Sequence, residues 1–119
     1  MTGPSHVVDG DTVDVGDIRV RLKGVDASER HTDLGKAAKI IMQTIVGGSD
    51  LTCHLTGEKT RRREVGYCVT AGGTDINREI IAQGAALACP RFDARYLPFE
   101  QAEQQEVQAR AAYCIKRVR

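Results

Sequence analysis

The sequence of 119 residues lacks tryptophan and has only three prolines and 4% aromatic residues. It also lacks a long apolar run, because polar residues interrupt the most hydrophobic stretch, around positions 40–46, well short of the ~18–20 residues that cross a membrane. The first six residues have neither the basic nor the apolar region of a secretory signal. We therefore expect no membrane span, and either an intracellular protein or an exported one whose signal has been removed.

A strong charge of either sign is missing as well. The 17 basic and 16 acidic residues give a net charge of +1, so no global field draws the chain to nucleic acid or to a membrane surface. The charges are unevenly placed, however, because residues 1–35 hold seven acids and four bases, and residues 36–119 hold nine acids and thirteen bases. Twelve of the bases are arginine, whose planar guanidinium matches the paired oxygens of phosphate or carboxylate.

The four cysteines include no C-x-x-C pair, which argues against structural zinc and against a thioredoxin-like centre. Their even number allows three pairings. Two interpretations stay open at this point, namely four buried thiols or one or two disulfides. Disulfides would place the protein in an oxidising compartment. The cysteines are Cys53, Cys68, Cys89 and Cys114.

A composition of 41% hydrophobic and 28% charged residues is typical of a globular protein, and the length suits one domain, residues 1–119. Alternating apolar residues and turn signals predict five short strands, with Val65, Tyr67 and Val69 alternating in the last of them. The predicted strands cover residues 6–8, 12–15, 18–25, 50–56 and 64–70.

Helical periodicity predicts three helices. The first covers residues 33–46, with Asp33 as its cap, and the second starts after Asp75 and ends at Gly84. The last begins at Pro98 and runs to about residue 113. The expected inward face of the first helix is formed by Leu34, Ala37, Ala38, Ile41 and Ile45. This order of elements predicts an α+β fold, a five-stranded OB-fold-type β-barrel with three α-helices.

Two acidic segments are the strongest candidates for chemistry. The first is Asp9-Gly10-Asp11-Thr12, which by itself is most often only a hairpin turn. The second runs from Asp26 to Glu29, where the third strand gives way to a loop. A barrel brings Asp11 next to the end of the strand carrying Asp26, and such clustered carboxylates suit calcium or magnesium.

Two arginines accompany these acids. Arg21 lies on the same strand as Asp26, and Arg63 follows the basic turn at residues 59–62. Guanidinium groups beside a metal ion can bracket a phosphate. Because Arg61, Arg62 and Arg63 are consecutive, the second arginine could be displaced by one position, and the alternative for the whole segment is a solvated basic turn.

Taken in order, these segments resemble staphylococcal nuclease and the wider thermonuclease-like family over almost the whole chain. The matching pieces are common singly but specific as an ordered set. They are Val8-Asp9-Gly10-Asp11-Thr12, Val20-Arg21-Leu22, Val25-Asp26-Ala27-Ser28-Glu29, Arg63 with Val65-Gly66, Asn77, Gln83-Gly84-Ala85, and Cys89-Pro90-Arg91-Phe92 with Arg95-Tyr96.

The resemblance implies a role for each matched position. Asp11 and Asp26 would bind Ca²⁺ through their side chains and Ala27 through its carbonyl oxygen, with Asp9 in the outer shell. Glu29 would orient or deprotonate the attacking water. The two phosphate-binding arginines would be Arg21 and Arg63.

The resemblance further implies a Ca²⁺-dependent phosphodiesterase that cuts DNA and RNA to 3′-phosphate ends with little sequence preference. We expect a monomer that acts on single-stranded or frayed DNA and RNA. One rival interpretation is an OB-fold nucleic-acid or protein-binding module with weak or no activity. Another is a structural domain that binds Ca²⁺ only for folding.

The sequence departs from the family at Ser28, where a proline is usual, and at Arg61-Arg62, where an aromatic residue and a glycine precede the second arginine. Phe92 and Tyr96 are candidates for base stacking, although aromatic residues this few are more often core.

Family members are commonly exported, so a removed signal would place the protein in the periplasm or outside the cell. We favour a Cys53–Cys68 disulfide, because the two residues fall on strands joined by the basic turn, with Cys89–Cys114 as a second bridge. The alternative is that all four are reduced core thiols.

Overall fold

The computed structural model of the protein describes residues 1–115, which form eight strands, three α-helices and two short 3₁₀ helices. The strands are β1 (Thr2–Gly3), β2 (Ser5–Asp9), β3 (Thr12–Val15), β4 (Ile18–Leu22), β5 (Val25–Asp26), β6 (Leu51–Thr60), β7 (Arg63–Thr70) and β8 (Leu87–Ala88). The helices are α1 (Asp33–Val46), α2 (Ile76–Ala82) and α3 (Ala102–Val107). No helix in this part of the chain has the length and hydrophobicity that a membrane span needs.

The strands form one large sheet and one small sheet. The large sheet has the order β1-β6-β7-β4-β3-β2, and all its neighbours are antiparallel except β4 and β7, which run parallel. The small sheet is the antiparallel pair β5-β8. The parallel pairing matters for the site, because it sets Arg21 of β4 beside the start of β7.

The α+β class and the OB-like core with three α-helices are confirmed, but the large sheet stays open instead of closing into a five-stranded barrel. The predicted third strand, residues 18–25, is interrupted after Leu22. The guanidinium of Arg21 donates to the carbonyl oxygens of Leu22 and Val25, which a continuous strand would use in its ladder. The segment that carries Asp26 therefore leaves the large sheet and pairs with β8.

The hairpin of β6 and β7 is longer than predicted, and the buried face of β7 is not the one formed by its alternating apolar residues. Its register pairs Cys53 with Cys68, so Gly66, Cys68 and Thr70 are the buried residues of β7. The alternating residues Val65, Tyr67 and Val69 occupy the more exposed face. The two strands are joined by Arg61 and Arg62 alone, whose φ angles are 48° and 67°.

Helix α1 has the predicted bounds, but Thr32 is its cap instead of Asp33, with the Thr32 hydroxyl accepting from the Gly35 N–H. The buried face of α1 is also rotated from the predicted one, because Gly35 packs against the loop before the helix. Ala37 of the predicted face is exposed. The buried residues of α1 are Gly35, Ala38, Met42 and Val46.

The predicted last helix, from Pro98 to about residue 113, is wrong. In its place are a 3₁₀ helix at Leu97–Phe99, the six residues of α3, and a second 3₁₀ helix at Ala112–Cys114. After α3, the Ala111 N–H, which a continuous helix would use in its own ladder, donates instead to the Asp26 carboxylate. Two disulfides, Cys53–Cys68 and Cys89–Cys114, leave no free cysteine in the described residues.

Helices α1 and α2 cover the sheet and enclose the core between them. A buried asparagine on α2 joins three segments there: Asn77 Oδ1 accepts from the Cys68 N–H at 3.1 Å, and Asn77 Nδ2 donates to the carbonyl oxygens of Lys23 and Gly66 at 3.0 and 3.3 Å. The largest fully buried apolar side chains are those of Val13, Val15, Val20, Leu22, Val25, Met42, Leu51, Ile76, Ile80, Ile81 and Leu87.

Candidate active site

An open cleft of about 770 Å³ lies at the end of β4, between the turn after β2, the loop before α1 and the tip of the β6-β7 hairpin. Its volume is in the range of small-ligand sites. Six of the seven residues predicted for the site line it, and Asp26 lies outside its lining. The six are Asp9, Asp11, Arg21, Ala27, Glu29 and Arg63.

Arg21 is held rigidly at one wall of this cleft. Its Nη1 and Nη2 atoms each donate at 2.7 Å to a main-chain carbonyl, those of Leu22 and Val25 respectively. Nη2 also lies 3.5 Å from Oδ2 of Asp11. The side chain is only 12% exposed, so the guanidinium is fixed where the strand ends. Its charge is therefore preorganised at the cleft.

Arg63, the first residue of β7, supplies the second cation. Its Nη1 lies 3.5 Å from the Thr12 hydroxyl, and that hydroxyl donates to Oδ1 of Asp11 at 3.0 Å. Burial and the positive charge of Arg21 lower the pKa of Arg63, with the charges of Asp11 and Asp9 opposing that effect. The group nevertheless stays charged. Arg21 thus contacts the Asp11 carboxylate directly, whereas Arg63 reaches it through the Thr12 hydroxyl.

The Asp9 and Asp11 carboxyls differ in environment although they share one turn. Oδ1 of Asp9 accepts the Asp11 N–H at 3.2 Å. Burial raises the pKa of Asp11 to about 7, even though the charge of Arg21 lowers it. Burial also raises the pKa of Asp9, but hydrogen bonds with Asp11 and Thr12 outweigh it and the pKa falls below the ordinary value. For Asp11, the effect of burial therefore exceeds that of the nearby Arg21 charge.

The turn formed by Asp9, Gly10 and Asp11 packs against the segment that follows Asp26. A Cβ added at Gly10 would lie 2.7 Å from the Cβ of Ala38 in α1 and 2.9 Å from the Cβ of Ala27. No side chain fits there, so glycine is required. This close approach brings the two acidic segments together, as the sequence predicted.

Asp26 lies behind the cleft wall and is 3% exposed. Its Oδ2 accepts the Ala111 N–H at 2.7 Å, and its main-chain oxygen accepts from Nε2 of Gln108 at 2.7 Å. Burial raises the pKa of Asp26, while the Ala111 hydrogen bond and the charges of Arg21 and Arg110 lower it, and the net direction is upward. One carboxylate oxygen is thus held by residues 108–114, which we call the C-terminal strap.

The strap is anchored at both ends. Arg110 donates to the carbonyl oxygen of Ala88 and forms a two-point pair with the Glu100 carboxylate, which also accepts the Ala88 N–H. The far end is fixed by the Cys89–Cys114 disulfide and by the Arg91 N–H, which donates to the Cys114 carbonyl at 3.0 Å. Sequence reasoning predicted the Cys89–Cys114 disulfide but missed the hydrogen bonds and the Glu100–Arg110 ion pair, because no motif links positions 26 and 111.

Glu29 is exposed at the cleft edge, on a loop fixed by α1. Its carbonyl oxygen accepts from the Thr32 N–H at 3.0 Å and from the Thr32 hydroxyl at 2.7 Å. A Cβ at Gly35 would lie 1.9 Å from that same oxygen. These contacts hold the loop even though Ser28 stands where the family usually has proline.

The candidate stacking aromatics separate into a core residue and a cleft residue. Tyr96 is 2% exposed and belongs to the core, as expected. Phe92 is 48% exposed and lines the cleft, although aromatic residues in so small a number are more often in the core. Tyr113, which the sequence did not single out, also lines it.

The donor chemistry fits a hard cation. Among residues 1–115 no three His, Cys, Asp or Glu side chains gather into a metal cluster. The predicted donors are two carboxylates and a carbonyl, all oxygen, which leaves further positions for water, as calcium sites commonly do. The raised pKa of Asp11 marks a buried carboxylate that a divalent cation would neutralise.

The OB-like sheet thus carries arginines and carboxylates together in one cleft. The chain matches the profile of the family described as staphylococcal nuclease homologue over residues 19–113, and it belongs to that family. It is therefore a member of a nuclease family, whose substrates are nucleic acids.

Three relatives illustrate the similarity. An uncharacterized endonuclease of Escherichia coli O157:H7 is 29% identical over 92 residues, covering 74% of this chain and 60% of the relative. The succinoglycan biosynthesis protein ExoI of Rhizobium meliloti (strain 1021) is 34% identical over 98 residues, covering 73% and 51%. An uncharacterized 38.1 kDa protein of Capnoides sempervirens is 34% identical over 96 residues, covering 79% and 26%. The chain thus spans between about a quarter and three fifths of these relatives.

Proposed function

We propose that the protein is a Ca²⁺-dependent phosphodiesterase of thermonuclease type, which hydrolyses DNA and RNA to 3′-phosphate products with low sequence specificity. The observation that carries the proposal is that Arg21 contacts Asp11 directly and Arg63 reaches it through the Thr12 hydroxyl, in a cleft that Glu29 also lines. A phosphodiester is anionic and gains charge as water adds, so fixed cations at the phosphate lower the barrier.

In this mechanism the arginines bind the non-bridging oxygens of the scissile phosphate. Arg21 is already oriented by two carbonyl oxygens, so little reorganisation accompanies substrate binding. Arg63 is oriented by Thr12 and donates from the neighbouring strand. The phosphate carries more negative charge in the transition state than in the ground state. The two arginines therefore stabilise the transition state more than the ground state.

Glu29 acts as the general base. Its carboxylate accepts a proton from a water molecule, the water oxygen forms a bond to phosphorus, and the bond from phosphorus to the 5′-oxygen breaks. The 5′-oxygen leaves with a proton from solvent, and the phosphate stays on the 3′ end. The fixed loop between Glu29 and Thr32 aims the base at the cleft.

Asp11, Asp26 and the carbonyl oxygen of Ala27 would hold the Ca²⁺ ion, with Asp9 in the outer shell. When bound, the ion supplies further positive charge to the phosphate. Asp26 is buried and Asp11 is half-buried, and burial raises the pKa of each, so both gain from a neighbouring cation.

The proposed substrate form is single-stranded or frayed nucleic acid, because an exposed aromatic residue, Phe92, lines the cleft and can stack on an unpaired base. We propose a monomer. We also propose a secreted or periplasmic location, supported by the two disulfides, which persist in oxidising compartments.

The test is hydrolysis of denatured DNA and of RNA with Ca²⁺ or with a chelator. Glu29→Gln, Arg21→Ala and Arg63→Ala should each lower kcat/KM by on the order of 10²–10³, because each removes one preorganised group. Glu106→Gln, an exposed change on α3, is the matched control and should leave the rate within about twofold. End-group analysis of the products identifies the broken bond.

The second candidate is a binding module. It is favoured by the hydrogen bond from the Ala111 N–H to Oδ2 of Asp26. This bond leaves only one oxygen of the Asp26 carboxylate free to bind a metal ion. A folded protein that binds oligonucleotides in the cleft but cleaves neither DNA nor RNA with Ca²⁺ would support it. Folding that depends on Ca²⁺ without any oligonucleotide binding would instead support a structural role.

A further inference from the structure

The tip of the β6-β7 hairpin has an unfavourable backbone that its residue types do not explain. Arg61 and Arg62 form a two-residue turn in which both φ angles are positive, 48° and 67°. Such turns favour Asn-Gly, because a side chain larger than asparagine is disfavoured in the left-handed region. Both residues are exposed, so neither is retained for packing. A disfavoured conformation kept at an exposed position suggests a function.

The two side chains also lack carboxylate partners. None of the ion pairs within the described part of the chain involves Arg61 or Arg62. In contrast, Arg19, on the adjacent β4, forms a two-point pair with Asp14, with Nε to Oδ1 at 2.8 Å and Nη2 to Oδ2 at 3.1 Å. The turn therefore presents two uncompensated positive charges.

These charges border a second depression, which lies between the β3-β4 turn and the hairpin tip. It is shallow and shares Arg19 and Arg61 with the lining of the catalytic cleft, so the two concavities meet at these residues. Asp17 is the other carboxylate of this depression, besides Asp14. The lining therefore has three basic and two acidic side chains. The lining residues are Asp14, Gly16, Asp17, Arg19, Arg61 and Arg62.

The cleft also has an excess of positive charge, with seven basic and four acidic side chains. Positive charge thus continues from Arg63 across Arg61 to the second depression, although the whole chain carries only +1. A continuous basic track suits the repeating phosphates of a polynucleotide better than a single phosphate. The acidic and basic side chains of the cleft are Asp9, Asp11, Arg19, Arg21, Lys23, Glu29, Arg30, Glu58, Lys59, Arg61 and Arg63.

We propose that Arg61 and Arg62 form a second phosphate-binding site, which holds the backbone of a nucleic-acid strand as it leaves the catalytic cleft over the hairpin tip. The inference rests on the proposed function, since it requires a strand in the cleft. It predicts that long single strands bind more tightly than short ones. The difference in affinity should depend on Arg61 and Arg62 and not on the nucleotide sequence.

The test uses the Arg61→Asn/Arg62→Gly double variant, which removes both charges and installs the residues that this turn prefers. In a chelator, which prevents cleavage, fluorescence anisotropy measures binding of labelled DNA and RNA oligonucleotides of about 3 and about 20 nucleotides. We expect the affinity for the long strand to fall on the order of tenfold at ~0.1 M salt, and the salt slope to decrease by ~1.4, as for two lost phosphate contacts. Binding of the short strand should change less than twofold.

Two control variants separate charge from conformation. Arg61→Lys/Arg62→Lys keeps both charges and should retain the affinity for the long strand within about threefold. Lys36→Gln/Lys39→Gln removes two charges from α1, outside both concavities, and should have no length-dependent effect. The Asn-Gly variant should also unfold at a higher temperature, since it relieves the left-handed arginines.

The outcomes distinguish this proposal from the proposed function. If the Asn-Gly variant is more stable but binds both lengths as the unmodified protein does, the turn has no role in binding and the inference is wrong. If Arg21→Ala leaves the binding of both lengths unchanged, the cleft is not the binding site and the proposed function fails first. Equal losses for short and long strands would place the tip inside the cleft site, which also contradicts a second site.

Discussion

Single side chains in this protein connect segments that are far apart in the sequence, and Asn77 is the clearest case. Its amide satisfies one N–H and two carbonyl groups from β7 and from the turn after β4. The residue is fully buried. Removing the amide leaves main-chain groups without partners in the core, where such groups are costly.

Asn77→Ala should lower the free energy of unfolding by about 2–4 kcal/mol, because three buried main-chain groups lose a partner. Urea denaturation followed by circular dichroism measures the change. Gln43→Ala removes an exposed amide on α1 and should cost less than about 0.5 kcal/mol. Equal effects of the two variants would contradict the bridging role.

Gly35 is a second single residue with a distant effect, because it packs against the loop that carries the candidate base, Glu29. Gly35→Ala would put a Cβ 1.9 Å from the Glu29 carbonyl oxygen, so the loop must move. We expect kcat to fall on the order of 10²-fold, because a displacement of about 1 Å at a reacting group has effects of that size. Steady-state kinetics on denatured DNA measures it.

Gly72→Ala is the matched control, since its added Cβ meets nothing closer than Oγ1 of Thr70 at 3.8 Å. It should leave kcat within about twofold. Should Gly35→Ala fold normally and keep the full rate, the Glu29 loop has no part in catalysis.

At the scale of elements, the chain after α3 is the least regular part and has the most distant contacts. The strap reaches Asp26 of β5 and is itself held by the Glu100–Arg110 pair. Burial raises the pKa of Glu100, but hydrogen bonds from Arg110, Gln105 and the Ala88 N–H outweigh it, so the pKa lies below its usual value. The folded protein therefore stabilises the ionised carboxylate.

The stability contributed by Glu100 should decrease in acid. A carboxyl whose pKa is lowered by folding contributes fully above its unfolded pKa of ~4.3 and loses that contribution as the pH falls through the folded value. At pH 7, Glu100→Gln should cost about 2–4 kcal/mol, because it leaves the half-buried Arg110 without its counter-charge. Urea titrations of both proteins from pH 7 to pH 3 should show the difference shrinking. A difference that stays constant over this range would contradict the assignment.

At the scale of the whole molecule, the two disulfides close separate loops, with sequence separations of 15 and 25 residues. Only the second touches the strap. Opening either by paired alanine substitutions should cost about 3 kcal/mol through the entropy of the unfolded chain. Because the two paired variants should lose similar stability, a difference in their Ca²⁺ binding can be assigned to the strap.

Cys89→Ala/Cys114→Ala should weaken Ca²⁺ binding by on the order of tenfold, because the strap that orients Asp26 loses its far anchor. Cys53→Ala/Cys68→Ala should leave it within about twofold. Isothermal titration calorimetry measures both affinities, and thermal denaturation measures both stabilities. Similar Ca²⁺ affinities in the two variants would show that the strap does not position Asp26.

Local patterns were enough to predict the bounds of α1 and most strands of the large sheet, since hydrophobic periodicity and turn residues are local properties. The class of fold followed from their order. The rotated face of α1 was missed because it depends on one main-chain contact at Gly35. The broken last helix was missed for a similar reason, because Gln108 and Ala111 bond to Asp26, more than 80 positions earlier.

The separation of 85 positions between Asp26 and Ala111 has a consequence for synthesis of the chain. Translation delivers Asp11 and both arginines early, and the sheet that carries them is complete by Thr70. The group that holds Asp26 emerges from the ribosome about forty residues later. Because residues 108–114 are synthesised after the whole large sheet, Asp26 acquires its Ala111 hydrogen bond only when the last described segment docks.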